Sequence, residues 1–213
     1  AYEAVIEAVL EEDAELVFAA TQEHSRLERL VVTPEERQLL RFCPCPVWLV
    51  KDAEREGPVV AAIDAGTSDA EHTALNRRVA ATARSVARRL GAPWHSFTAF
   101  AGVPIMYPAN VSLDIPVFER DSVDRLRLAA HGIVEPLGLA EADIHVVQGA
   151  PADVLCEQAE KLGAALLVVG TVARTGFNAF LIGNTAELII DRSVCDVLAV
   201  KPEGFVSPLR KEQ

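Results

Sequence analysis

The chain has 213 residues, longer than one ordinary domain and shorter than two, and half of them are apolar, enough to build a substantial core. With 31 acidic against 20 basic side chains its net charge is -11, which argues against a surface built to grip nucleic acid through clustered cations. No apolar run approaches the roughly 20 residues of a membrane span and no signal peptide is read at its start, so the expectation is a cytoplasmic protein with neither nucleic acid nor membrane as partner.

In chain order, residues 1 to 12 set Ala4, Val5, Ala8 and Val9 on one face at helical spacing, and Ala14 to Ala20 form a short apolar run; helix and then buried strand are expected. Thr33-Pro34-Glu35-Glu36 reads as an N-cap, a proline at the first helical position and an acidic first turn, opening a helix to about Phe42. Pro46 to Val50 reads as a strand. After a charged linker, the apolar run Pro58 to Ile63 ends on Asp64, as a central parallel strand does. A turn over Ala65 to Asp69 leads into a helix from Ala70 to Leu90 that stops at Gly91. Its Arg77, Arg78, Arg84, Arg88 and Arg89 read as a solvated face.

Trp94 to Phe100 is expected as the second strand of this unit. The proline-rich connection Ala101 to Pro116 reads equally as a binding loop or as a lid packed on the core. A helix from Val117 to Leu137 follows, with Leu126, Ala130, Ile133 and Leu137 on one face; then an edge strand over Ile144 to Val147, a helix opened by Pro151, and a strand ending at Gly170. A glycine-spaced loop closes at Gly183-Asn184-Thr185, where another helix begins before a last strand leading to Lys201. The four cysteines, Cys43, Cys45, Cys156 and Cys195, have neither zinc-ligand spacing nor disulfide density and read as buried reduced thiols.

Shifting the chain by 150 residues aligns 14–52 with 164–202 without a gap: Thr21 falls on Thr171, Leu39 on Ile189, Cys45 on Cys195, Val50 on Val200 and Lys51 on Lys201. The chain therefore holds one whole repeat and the last part of another. Expected units are 1–51 (an incomplete first repeat, either continued upstream of Ala1 or shorn of its beginning), a linker at 52–57, a complete repeat at 58–203 and a tail at 204–213. Alternating strands and helices demand an α/β fold, a parallel sheet with right-handed crossovers and helices on both faces; the expectation for the complete repeat is an open five-stranded sheet of order 3-2-1-4-5.

In such a sheet the ligand crevice lies between the first and fourth strands, outside their carboxyl ends. Ile63 and Asp64 end the one and Val169 and Gly170 the other. Gly183, Asn184, Thr185 and Ala186 would present backbone N-H groups at a helix N-terminus, suited to an anion, with Arg174 as an added charge. The competing explanation makes Gly183 only a turn and Asn184 only an N-cap.

These residues resemble the universal stress protein family, whose domain is a five-stranded α/β unit. In nucleotide-binding members the loop after the fourth strand runs G-x-x-G, nine residues, G, then Ser, Thr or Asn. Here Gly170, the nine residues Arg174 to Ile182, and Gly183-Asn184 match, while Ala173 stands where the second glycine would be. Gly176 and the run to Glu187, closing on Cys195-Asp196 and Lys201-Pro202, further resemble the tandem-domain E type. The resemblance implies a stress-response protein, non-catalytic, binding a small ligand such as ATP or another adenine nucleotide, with Asp64 contacting adenine or ribose. In the first repeat Ala20, Glu23, Thr33 and Pro34 hold the motif positions, so that repeat reads as structural. The family also pairs final strands across domains, which implies an intramolecular pseudo-dimer joined through Val47 to Val50 and Val197 to Val200, with a homodimer as a further option. A slow nucleotide hydrolase and a scaffold without ligand are the alternatives; against the former, the loop offers neither lysine nor histidine.

Overall fold

The structure, a computed structural model, describes residues 1–21, 32–51, 56–102, 115–138, 140, 143–171 and 182–209, the side chains of 115–119 apart. The apolar run before Asp64 forms β3 (Val59–Ala62), and Val59, Val60 and Ala61 are all without solvent exposure. Helix α3 (Ala70–Leu90) follows; the Asp69 side chain accepts from the His72 N-H to cap it, and Gly91, at φ 65°, ends it in the left-handed conformation that glycine adopts freely. Then come β4 (Trp94–Phe100), α4 (Ile115–Val134), β5 (Ile144–Gln148), α5 (Pro151–Lys161), β6 (Leu166–Gly170), α6 (Asn184–Arg192) and β7 (Asp196–Val200). Ahead of them lie α1 (Tyr2–Glu11), β1 (Val17–Ala20), α2 (Pro34–Phe42) and β2 (Val47–Val50).

Among the described residues seven strands form one sheet, in the order β1-β2-β7-β6-β3-β4-β5. The expectation of five parallel strands is corrected in size and direction. From β3 to β7 the strands do follow the order 3-2-1-4-5, but two strands of the first repeat extend the sheet and β2 runs antiparallel to β7. The physical reason is the edge: a final strand left bare would expose a row of unpaired N-H and C=O groups, and each final strand covers the other's. The register Val47↔Ala199, Trp48↔Leu198, Leu49↔Val197 is symmetric about positions 48 and 198, themselves 150 apart. Both repeats also end alike, with Thr21 Oγ1 and Thr171 Oγ1 each donating at 3.1 Å to the carbonyls of Val50 and Val200.

Alternation along the buried strands divides the core. Val60, Leu167, Val169, Val197 and Ala199 face α1, α2, α5 and α6, while Val59, Ala61, Leu166, Val168 and Leu198 face α3 and α4. Three sequence expectations shift. On α1 the buried residues are Ile6 and Val9, with Tyr2 packed beside them, and Ala4, Val5 and Ala8 are exposed; the stripe that packs is i, i+4, i+7 from Tyr2. The first strand is shorter than Ala14 to Ala20. Helix α4 spans Ile115–Val134, because Pro116 has no N-H to miss in a first turn, and Pro136 turns the remainder into a single 3-10 turn, Glu135–Leu137. Most of the proline-rich connection lies outside the described residues. The four cysteines are unbridged, three of them buried.

Candidate functional site

A cavity of about 760 Å³ opens at the carboxyl ends of β3 and β6, and every described member of the expected site lines it: Ile63, Asp64, Val169, Gly170, Gly183, Asn184, Thr185 and Ala186. Ala173, Arg174 and Gly176 lie outside the described residues.

On the β3 side, the strand end is pinned by a helix. Asn76, 6% exposed on the inner face of α3, accepts from the Asp64 N-H at 3.0 Å and donates to the Asp64 carbonyl at 2.7 Å. Thr98 Oγ1 donates to the Ile63 carbonyl at 3.0 Å. The Asp64 carboxylate itself is exposed and accepts from the Gly66 N-H at 3.2 Å, so its backbone is fixed while its head stays available to a ligand. Nothing in the sequence reading singled out Asn76; a polar residue on the apolar stripe of a helix was the signal.

On the β6 side, the two glycines have different reasons. A Cβ at Gly170 would stand 2.8 Å from Leu75 Cδ2, so this glycine lets α3 pack onto the sheet, a requirement that exists with or without a ligand. Among the described residues a Cβ at Gly183 would meet nothing within 4 Å, and its φ of -62° suits any residue. The glycine there leaves empty space inside the cavity wall.

Gly183 is the N-cap of α6 and Asn184 its first helical residue, which corrects the alternative of Asn184 as the cap; no side chain caps this helix. The first intrahelical bond is Glu187 N-H to Gly183 O at 3.0 Å. The N-H groups of Asn184, Thr185 and Ala186 therefore have no carbonyl within their own helix, and the helix dipole adds positive potential where they point. Asn184 and Thr185 are exposed and Ala186 is 5% exposed.

The wall also includes a side chain from the first repeat, whose own motif positions read as structural in the sequence. Arg41, in the last turn of α2, reaches the cavity; its Nη2 donates to Glu187 Oε1 at 3.2 Å, and its buried Nε has no hydrogen-bond partner among the described residues. Only the crossing of the two final strands brings it there, so no local pattern could have disclosed it. His72 lines the opposite side, where Asp69 accepts from its N-H and its ring, holding the Asp69 carboxyl well below the ordinary carboxylate range. The described wall thus offers an open helix N-terminus, one guanidinium, two carboxylates and an imidazole over an apolar floor. Among the described residues no group of three or more His, Cys, Asp or Glu side chains could hold a metal ion, and no nucleophile stands beside a base in this wall. An open helix N-terminus and a guanidinium over an apolar floor are chemically suited to a small ligand with an anionic end.

Residues 57–201 match the model of the universal stress protein family. The chain is 34% identical to universal stress protein E of Escherichia coli strain K12 over 98% of its own length and 67% of that protein's, so it spans about two thirds of such relatives. A protein of unknown function from Pseudomonas aeruginosa PAO1 superposes with a TM-score of 0.80 at 30% identity, covering 95% of this chain and 68% of that one. A universal stress protein from Archaeoglobus fulgidus DSM 4304 shares the fold, with a TM-score of 0.62 at 16% identity over 94% and 66% of the two chains.

Proposed function

The chain belongs to the universal stress protein family, and on that premise we propose that it is a non-catalytic stress-response protein whose crevice binds ATP or another adenine nucleotide. The observation that carries this reading is Gly183: a glycine demanded neither by its backbone conformation nor by any described neighbour, at a helix N-terminus that no described side chain caps, inside a cavity of about 760 Å³. That size is ordinary for a small-molecule site. In this proposal the N-H groups of residues 184–186 hold a phosphate, Arg41 of the first repeat adds charge, and Asp64 accepts hydrogen bonds from ribose hydroxyls or the adenine amine. Arg174, near the phosphates, and Ala173 and Gly176, in the loop, complete the set. Units at 1–51 and 58–203, joined by the linker 52–57 and followed by the tail 204–213, act as an intramolecular pseudo-dimer in the cytoplasm.

Isothermal titration with ATP, ADP and AMP tests it. Binding is expected, and Gly183→Val should weaken it about 100-fold without disturbing the fold, because its side chain enters only the cavity. Asp64→Ala should weaken it about tenfold, the value of one buried polar contact. No heat with any of the three nucleotides at millimolar concentration would refute the nucleotide reading. Single-turnover incubation with ATP should release no phosphate.

A further inference from the structure

Between the two repeats, α2 and α6 face each other through two ion pairs. Arg37 Nη2 reaches both carboxylate oxygens of Asp191, at 2.7 and 2.8 Å, and Arg41 Nη2 reaches Glu187 Oε1 at 3.2 Å. Under the offset of 150, position 187 is the counterpart of 37 and 191 the counterpart of 41. The two contacts are therefore one pair of positions met from opposite sides. In the first repeat both positions are arginine; in the second both are acidic.

The rest of the joint is largely indifferent to which repeat supplies which half. The β2–β7 register is symmetric about positions 48 and 198. Lys51 Nζ donates to the carbonyls of Ile190 and Ser193 at 2.5 and 2.8 Å, and Lys201 Nζ, its counterpart, donates to those of Leu40 and Arg41. If the second repeat met another copy of itself, β7 would still find an apolar strand and Lys201 would still find helix carbonyls. Glu187 would then face Asp191 twice over. Asp196, 7% exposed, would also lose the Trp48 indole N-H that now donates to it at 2.7 Å, because position 198 is leucine.

We propose that this separation of charge is a pairing code: the second repeat accepts a partner carrying arginines at 37 and 41 and rejects a copy of itself, which reserves the β7 edge for the first repeat of its own chain. Each ion pair is about one-third exposed and adds little to stability alone. Specificity comes from the difference between attraction in the right pairing and repulsion in the wrong one.

Charge exchange in the full chain tests the code, read by sedimentation and thermal melting. Arg37→Glu with Arg41→Glu makes both faces acidic; Glu187→Arg with Asp191→Arg makes both basic. Each double variant alone should melt about 5 °C lower and show no self-association beyond the parent's, whereas an equimolar mixture should form a one-to-one complex. The fourfold exchange should return melting to within about 2 °C of the parent and restore its mass. Should the double variants fail to fold, the fourfold exchange decides: recovery supports the code and failure to recover overturns it. Unchanged melting in the double variants, no complex on mixing, or self-association as strong as cross-association would each overturn it.

Discussion

Helices α2 and α6 hold corresponding places in the two repeats, alike at one end and opposite at the other. Their C-terminal carbonyls are bound the same way, by the lysine that closes the other repeat's final strand. At their N-termini, Thr33 Oγ1 accepts from the Glu36 N-H and Glu36 Oε2 accepts from the Thr33 N-H, while Pro34 has no N-H to satisfy. The end of α2 is sealed by its own side chains. Gly183, Asn184 and Thr185 at the matching positions seal nothing. The two helices keep the lysine contacts that join the repeats and differ at their N-termini, where α6 opens on the cavity.

The largest effect expected concerns the shared end. Burial pulls the Lys201 ammonium down to about 8 from the ordinary lysine value of 10.5, and lowers Lys51 as well. Between pH 8 and 10.5 the unfolded chain then holds a proton on Lys201 that the folded chain has released, so stability rises with pH. The gain is about 1.4 kcal/mol per pH unit and on the order of 3 kcal/mol in all. Comparing denaturant unfolding of the parent with Lys201→Met isolates this term: the parent should gain on the variant as pH rises through that window. A constant difference would mean that the helix carbonyls keep the proton in place.

Transplanting the sealed end onto the open one comes next. Gly183→Thr with Asn184→Pro copies the first two positions of α2 at a site whose φ and ψ, -62° and 143°, lie near the -67° and 158° of Thr33. The new cap, worth a few tenths of a kcal/mol, and the stiffer backbone of threonine and proline should together stabilise the chain by about 1 kcal/mol. It also consumes or deletes N-H groups assigned to a phosphate, so nucleotide affinity should fall about 100-fold, or about 2.7 kcal/mol. Undiminished binding would detach the ligand from this helix end.

The succession of strands and helices, the turn at Asp69, the stop at Gly91 and the place of Asp64 were legible because each rests on local chemistry: runs of apolar residues, caps and a glycine at positive φ. The offset of 150 disclosed the repeats for the same reason, since corresponding positions such as Thr21 and Thr171 make the same bond. What escaped reading depends on distant partners. Gly170 looks like a loop residue until Leu75 arrives beside it, Asn76 looks like an error in an apolar stripe until Asp64 occupies its amide, and Arg41 enters the cavity only through the crossing of β2 and β7. On α1 the spacing of alanine and valine alone does not say which stripe the sheet meets, and Ile6 and Val9 are the residues that it buries.

The smallest effect separates a structural helix end from a functional one. Thr33→Ala removes the hydroxyl half of the cap on α2, leaving the backbone N-H of residue 33 to Glu36, and should lower stability by about 1 kcal/mol by denaturant unfolding. Gly183→Ala, the corresponding change on α6, adds a methyl where no described residue lies within 4 Å and loses no side-chain hydrogen bond, so it should cost only what an alanine N-cap costs relative to glycine, less than Thr33→Ala. If Gly183→Ala instead costs as much as Thr33→Ala, the glycine is structural, and the open helix end loses its claim to a ligand.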